Sequence, residues 1–136
     1  MGRGASIKKG RRMYEITVQR HFSAAHHLAG YEGNCARWHG HNCDVTVFLL
    51  AEELNELGIA VDFRIVKSSL DRILEELDHA DLNQVPGFTD RNPTSENIAR
   101  YVFEKLTHGL AGEGVEVAKV RVSETPGTSA SFFKRR

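Results

Sequence analysis

The chain has 136 residues, in which 18 Lys and Arg balance 18 Asp and Glu, and 40% of residues are hydrophobic. That length suits one ordinary domain with a real core, and the charge balance offers no broad field to recruit nucleic acid or an anionic membrane, so a small, specific ligand is expected. No run is long and apolar enough to span a bilayer, and two cysteines without a signal-like leader point to free thiols in a reducing cytoplasm and not to a disulfide framework.

Residues 1–12 carry Arg3, Lys8, Lys9, Arg11 and Arg12 without apolar periodicity, which predicts a basic, disordered head before a single domain over residues 13–136. Met1-Gly2 followed by Ser6 formally fits a myristoylation pattern and is read as a chance match. Tyr14, Ile16 and Val18 alternate with Glu15, Thr17 and Gln19, which predicts a strand running on through Phe22 and Ala24 to His26. Gly30, Gly33 and Asn34 mark a loop, and a second strand from about His39 to Ala51 completes a hairpin. A short extended piece, Ile59 to Val61, leads to Asp62, a good helix cap. Behind it Ile65, Val66, Leu70, Ile73, Leu74 and Leu77 share one side of a helix, with Lys67 and Arg72 on the other. Asn92-Pro93-Thr94-Ser95-Glu96 announces a second helix, capped by Asn92 or Thr94, with Ile98, Tyr101, Val102 and Leu106 as its stripe and Gly109 to Gly114 as its stop. Two strands follow, Val115 to Glu124 and Ser129 to Phe133, turning at Thr125-Pro126-Gly127. The order ββααββ predicts an α+β domain with two helices on one face of an antiparallel sheet.

The chemistry concentrates at the first hairpin. His39 and His41, two apart on a strand, project to the same face, and His26 or His27 supplies a third imidazole from the other arm. Three histidines suit zinc and leave the fourth tetrahedral position open, which marks a catalytic site. Cys35 is then near enough in sequence to be a nucleophile or base. A rival reading closes a structural site with Cys35, His39, His41 and Cys43; it is disfavoured because alternating residues on one straight strand rise too fast to wrap a single ion.

Two acidic positions add to this. Asp78 and His79 stand side by side where the helical stripe gives out, either as a proton-transfer pair or as a polar helix terminus with His placed favourably at the dipole. Glu124 continues the apolar face of Ala118, Val120 and Val122; it either lies beyond the sheet edge or is a buried carboxylate that accepts two parallel donors from a guanidine-like ring edge.

Six segments in this order, Phe22-Ser23-Ala24-Ala25-His26, Cys35 with His39-Gly40-His41-Asn42, Val61-Asp62-Phe63, Leu77-Asp78-His79, Asn92-Pro93-Thr94-Ser95-Glu96 and Ser123-Glu124-Thr125, resemble the 6-pyruvoyltetrahydropterin synthase family over about residues 14–133. The resemblance implies the tunnelling fold, in which trimerisation joins sheets into a barrel and two trimers stack into a hexamer. It implies zinc on His26, His39 and His41, which selects His26 over His27, and it implies Cys35, Asp78 and His79 as catalytic residues. Glu124 becomes the pterin anchor, and Thr94, Ser95 and Glu96 line the pterin pocket. The three residues between Cys35 and His39 are similar to the bacterial branch that forms 6-carboxytetrahydropterin from dihydroneopterin triphosphate, with loss of triphosphate and acetaldehyde, for 7-deazaguanine and queuosine synthesis. The branch that stops at the 6-pyruvoyl product is the alternative. Cys43 departs from the family, where an aromatic residue is common. Outside this class stand a non-catalytic zinc-stabilised binding module and a metal-dependent hydrolase of small heterocycles.

Overall fold

Residues 13–26 and 39–135 are described by a computed structural model of the protein, which gives the backbone alone at residues 26 and 39–41. The expected basic head and the loop between the first two strands lie outside the described residues. Strict alternation over two long arms makes the first hairpin: β1 is Tyr14–His26 and β2 is His39–Ala51, paired antiparallel in register from Tyr14 opposite Ala51 to His26 opposite His39. The helix α1 spans Phe63–Glu75, a single 3-10 turn covers Leu82–Gln84, and α2 spans Ser95–Gly109. The chain returns as β3, Glu116–Thr125, and β4, Thr128–Phe132. The four strands form one antiparallel sheet in the order β1-β2-β3-β4, as the ββααββ pattern predicts.

One face of the sheet is the core. Ile16, Val18, Phe22 and Ala24 of β1, Val45, Val47 and Leu49 of β2, and Val120 and Val122 of β3 are buried together with Val66, Leu70, Ile73 and Leu74 of α1 and Ile98, Val102, Phe103 and Leu106 of α2. This continuous apolar layer is the main favourable term of folding. On the other face the ring of Phe48 is covered by Lys119 and Arg121, whose cationic groups stand 4.5 and 5.0 Å from the ring centroid.

Both helix caps follow the expected chemistry. The Asp62 carboxylate accepts from the Arg64 amide, and the Thr94 hydroxyl, not Asn92, accepts from the Asn97 amide. Four details differ from the sequence reading. Ile59 to Val61 forms no strand, and only Val61 of that piece is buried. Ile65 is 41% exposed, because the side of α1 that meets the sheet runs through Val66, Leu70 and Ile73. Tyr101 is half-buried, with its hydroxyl donating to Glu76 Oε1 at 2.8 Å, whereas Phe103 carries the burial expected of it. A bulge between Phe48 and Leu49 passes over Ala118, so Val117 and not Ala118 joins Val120 and Val122 in the core.

Arg20 interrupts the apolar alternation of β1. Its Nε and Nη2 donate to both oxygens of Asp71 at 2.8 and 2.7 Å, a fork-to-fork pair that ties α1 to β1 beside Phe22.

Candidate active site

The histidine positions occupy the end of the first hairpin next to its connecting loop. His26 stands opposite His39, His41 opposite Ala24, and Phe22 opposite Cys43. Directly opposed residues share a face, so positions 26, 39 and 41 fall in the same alternation as the buried Phe22, Ala24, Cys43 and Val45. The side chains of those three histidines, and Cys35 altogether, lie outside the described residues. A donor set of three imidazoles drawn from two paired strand ends fits zinc. Among the described residues no other group of three His, Cys, Asp or Glu could hold a metal ion.

Glu124 belongs to the same face. Asp44 pairs with Ser123, so the next step of the β2–β3 ladder brings Cys43 to Glu124. Cys43 is fully buried, and this burial, helped by the charges of Glu124 and Asp44, pushes its thiol up to about 12. It therefore packs as a small core residue. Two residues along a strand separate the Cys43–Glu124 row from the His41 row, which is about 7 Å. A carboxylate and a cluster of imidazole positions thus line one side of the sheet, a row or two apart, and a flat heterocycle with a short side chain can touch both.

The start of α2 supports the carboxylate. The Thr94 hydroxyl is engaged in capping the helix, while Ser95 Oγ donates to Glu124 Oε2 at 3.0 Å. Of the residues expected to line the pocket, Ser95 therefore acts on the acid and Thr94 holds the helix that carries Ser95. Glu96 sits in the first turn of the same helix and is exposed.

Asp78 and His79 follow the end of α1 and dock on the outer edge of β1. The Asp78 Oδ1 accepts from the Ser23 amide at 2.9 Å, the His79 amide donates to the Ser23 carbonyl, and the Ala25 amide donates to the Ala80 carbonyl at 3.1 Å. The expected pairing of the two side chains is not a hydrogen bond: His79 Nε2 lies 3.7 Å from Asp78 Oδ2, and the imidazole is 82% exposed. Asp78 thus gives one oxygen to the strand and keeps the other within ion-pair distance of His79.

Sequence reasoning missed three of the groups around the site. Ser23 gives its backbone to Asp78 and His79 and its hydroxyl to Asn42 Oδ1 at 2.5 Å, across the rung next to the histidines. Asn42 and Arg20 carry no periodic signal either; a polar residue in an apolar alternation was the only trace Arg20 left. A groove of about 400 Å³ between α1 and α2, lined by Ser69, Arg72, Glu76, Lys105 and His108 among others, contains none of the expected site residues.

The model of the family described as 6-pyruvoyl tetrahydropterin synthase matches residues 15–135. The chain belongs to that family. Every residue expected to act, from His26 to Glu124, falls inside the matched stretch of this tetrahydropterin synthase family member, and the family is one of lyase-type enzymes. Among its relatives, a Synechocystis protein named 6-carboxy-5,6,7,8-tetrahydropterin synthase is 36% identical over 130 residues, which is 91% of this chain and 96% of that protein. A Rickettsia felis protein of the same name is 27% identical over 84% of this chain and 96% of its own length. The solved structure of 6-pyruvoyl tetrahydropterin synthase from Caenorhabditis elegans superposes with a TM-score of 0.80 at 28% identity, covering 92% of this chain and 98% of that one. The antiparallel four-stranded sheet with two helices is the fold these proteins share.

Proposed function

We propose that this tetrahydropterin synthase converts 7,8-dihydroneopterin triphosphate to 6-carboxy-5,6,7,8-tetrahydropterin, releasing triphosphate and acetaldehyde, as a step toward 7-deazaguanine and queuosine precursors. The observation that carries the reading is the placement on one sheet face of a supported carboxylate, Glu124 with Ser95, one to two rows from the opposed His26, His39 and His41 positions. The name of the Synechocystis relative and the three residues between Cys35 and His39 favour the carboxy-forming product.

In this reading Glu124 accepts two parallel hydrogen bonds from the 2-amino-pyrimidinone edge of the pterin, which sets where the substrate side chain lies. His26, His39 and His41 would hold the zinc ion. Zinc, when bound, supplies Lewis-acid polarisation to oxygens of the substrate side chain. Cys35 serves as the base that removes a side-chain proton, and His79 as the acid or base that exchanges protons on the other side. The sheet ends on β1 and β4, and an end strand is a ready template for pairing with another chain; closure of three such sheets into a barrel, and stacking of two barrels into a hexamer, fits this edge pattern. A chain with only two cysteines fits a reducing cytoplasm.

The second reading, elimination of triphosphate with arrest at the 6-pyruvoyl product, is favoured by the likeness to the Caenorhabditis elegans enzyme. Mass-spectrometric product analysis separates the two: zinc-loaded protein incubated anaerobically with dihydroneopterin triphosphate is expected to yield 6-carboxytetrahydropterin and acetaldehyde, and Cys35→Ala is expected to yield neither. A 6-pyruvoyl product moves the chain to the other branch, and unchanged substrate overturns both.

A further inference from the structure

The carboxylate of Glu124 projects from an irregularity in the sheet. Val122 of β3 pairs with Ala130 and Thr125 pairs with Thr128, so Ser123 and Glu124 together face the single residue Ser129. That is a β-bulge, which bends the strand and re-aims the side chains around the extra residue. The same residues could pair without it. Continuing the Val122–Ala130 register would set Glu124 opposite Thr128 and leave Thr125, Pro126 and Gly127 as a three-residue loop, a common hairpin connection. The observed pairing closes instead on a two-residue turn, Pro126-Gly127, with Thr125 opposite Thr128. Hydroxyl groups distinguish the two registers. Ser123 Oγ donates to the Thr128 carbonyl at 2.8 Å and also meets the Thr125 carbonyl. One short side chain reaches both carbonyls because the residues that carry them are directly opposed, which the regular register would undo. Beside it, Thr125 Oγ1 and Thr128 Oγ1 share a hydrogen bond of 2.6 Å.

We infer, resting on the pterin-anchoring role proposed for Glu124, that Ser123 is a positioning residue whose hydroxyl pins the β3–β4 bulge and so sets the direction in which Glu124 meets the ring. Ser123 pairs with Asp44, which is exposed on the face away from the core, and opposed residues share a face. The hydroxyl therefore acts from behind the strand while the carboxylate works in front. Glu124 is held at two places: Ser95 bonds its Oε2 at 3.0 Å, and Ser123 fixes the backbone from which it projects. Two parallel hydrogen bonds to a planar ring edge demand that direction, because a carboxylate turned away from the ring plane keeps only one of them.

The test measures, on zinc-loaded protein, the dissociation constant of pterin itself by fluorescence titration, since pterin carries the 2-amino-pyrimidinone edge without the reacting side chain. Steady-state kinetics with dihydroneopterin triphosphate and thermal melts accompany it. Ser123→Ala is expected to weaken pterin binding and to raise KM in step by roughly 2- to 10-fold, the range that one neutral hydrogen bond spans. A contact that acts on binding alone leaves kcat within about twofold of wild type. Ser123→Thr, which keeps the hydroxyl, is expected to recover most of the binding. Thr128→Val removes the neighbouring hydroxyl pair but leaves the Thr128 carbonyl to Ser123, and is expected to bind pterin as wild type does. Unchanged pterin binding in Ser123→Ala overturns the inference. Equal weakening in Thr128→Val does so too, because the effect would then belong to turn stability in general, and so does a fall in kcat with KM unchanged. If wild type binds no pterin, the role proposed for Glu124 fails and the inference with it; pterin binding that survives Ser123→Ala sinks the inference alone.

Discussion

Ser95→Ala tests the core of the candidate site with the smallest possible change. The substitution deletes one hydroxyl, leaves Thr94 to cap α2, and removes the 3.0 Å bond to Glu124 Oε2. A hydrogen bond to a charged acceptor contributes roughly 1.5–3 kcal/mol. Glu124 is half-buried and water can take over part of the lost bond, so the lower end applies, about 1.5 kcal/mol, and this converts to roughly a tenfold loss. Because Glu124 is assigned to the ring and not to the reacting side chain, the loss should fall mainly on binding: KM up about tenfold with kcat changed less than about threefold, the signature of a uniform-binding contact. Ser95→Thr, which keeps the hydroxyl, should recover most of it. Glu124→Gln should exceed Ser95→Ala, because it puts a donor where an acceptor is needed. Steady-state kinetics with dihydroneopterin triphosphate, beside thermal melts to show that folding is unchanged, makes the comparison. A Ser95→Ala enzyme with KM within about twofold of wild type, well under the tenfold expected of a charged hydrogen bond, would refute the claim that this hydroxyl orients the carboxylate.

Three other outcomes are expected. In a Cys35→Ala background, Cys43 should resist thiol reagents at pH 8 in the native protein and react fully after denaturation, because it is fully buried and its thiol is pushed up to about 12; native-state labelling at the unfolded rate would contradict that burial. The Arg20 hydrogen bonds hold the Asp71 carboxyl below its ordinary 3.8, so the pair stabilises the fold above about that pH and the contribution is lost as pH falls through the lower folded value. Urea midpoints measured against pH should accordingly fall for Asp71→Asn at neutral pH and lose part of their acid dependence below 3.8, and a midpoint equal to wild type at neutral pH would show the pair to be without effect. Finally, chelation of zinc should abolish turnover while leaving a cooperative melt, since the sheet-and-helix core closes without the histidine end of the hairpin; unfolding on metal removal would instead favour the non-catalytic zinc-stabilised module.

Much of the fold could be read from the chain because its signals are local and periodic. Alternation through Tyr14, Ile16, Val18 and Phe22 needs no partner to be recognised, and the helix stripes and caps at Asp62 and Thr94 are equally self-contained. The same holds for the candidate site wherever the chemistry is carried by spacing: His39 and His41 sit two apart on a strand, and His26 ends the opposite arm. Local periodicity also misled in places. The stripe through Ile65 and the alternation through Ala118 are both sound as patterns, yet helix rotation exposes the first and a bulge skips the second.

What no local pattern contains is which atoms meet across the fold. Asp78 and His79 are adjacent in sequence and read as a pair, but the open edge of β1 takes one carboxylate oxygen for the Ser23 amide and leaves the other 3.7 Å from the imidazole. Ser95 reads as a pocket residue, yet it turns to Glu124, 29 positions away. Arg20 and Asp71 are 51 positions apart, and neither announces the other. The four strands and two helices, their order and the residue types at the hairpin end are legible along the chain, because each depends on neighbours within a few positions. Which polar group satisfies which is settled by packing, because a buried or edge hydrogen-bonding group takes whatever partner the fold brings within about 3 Å.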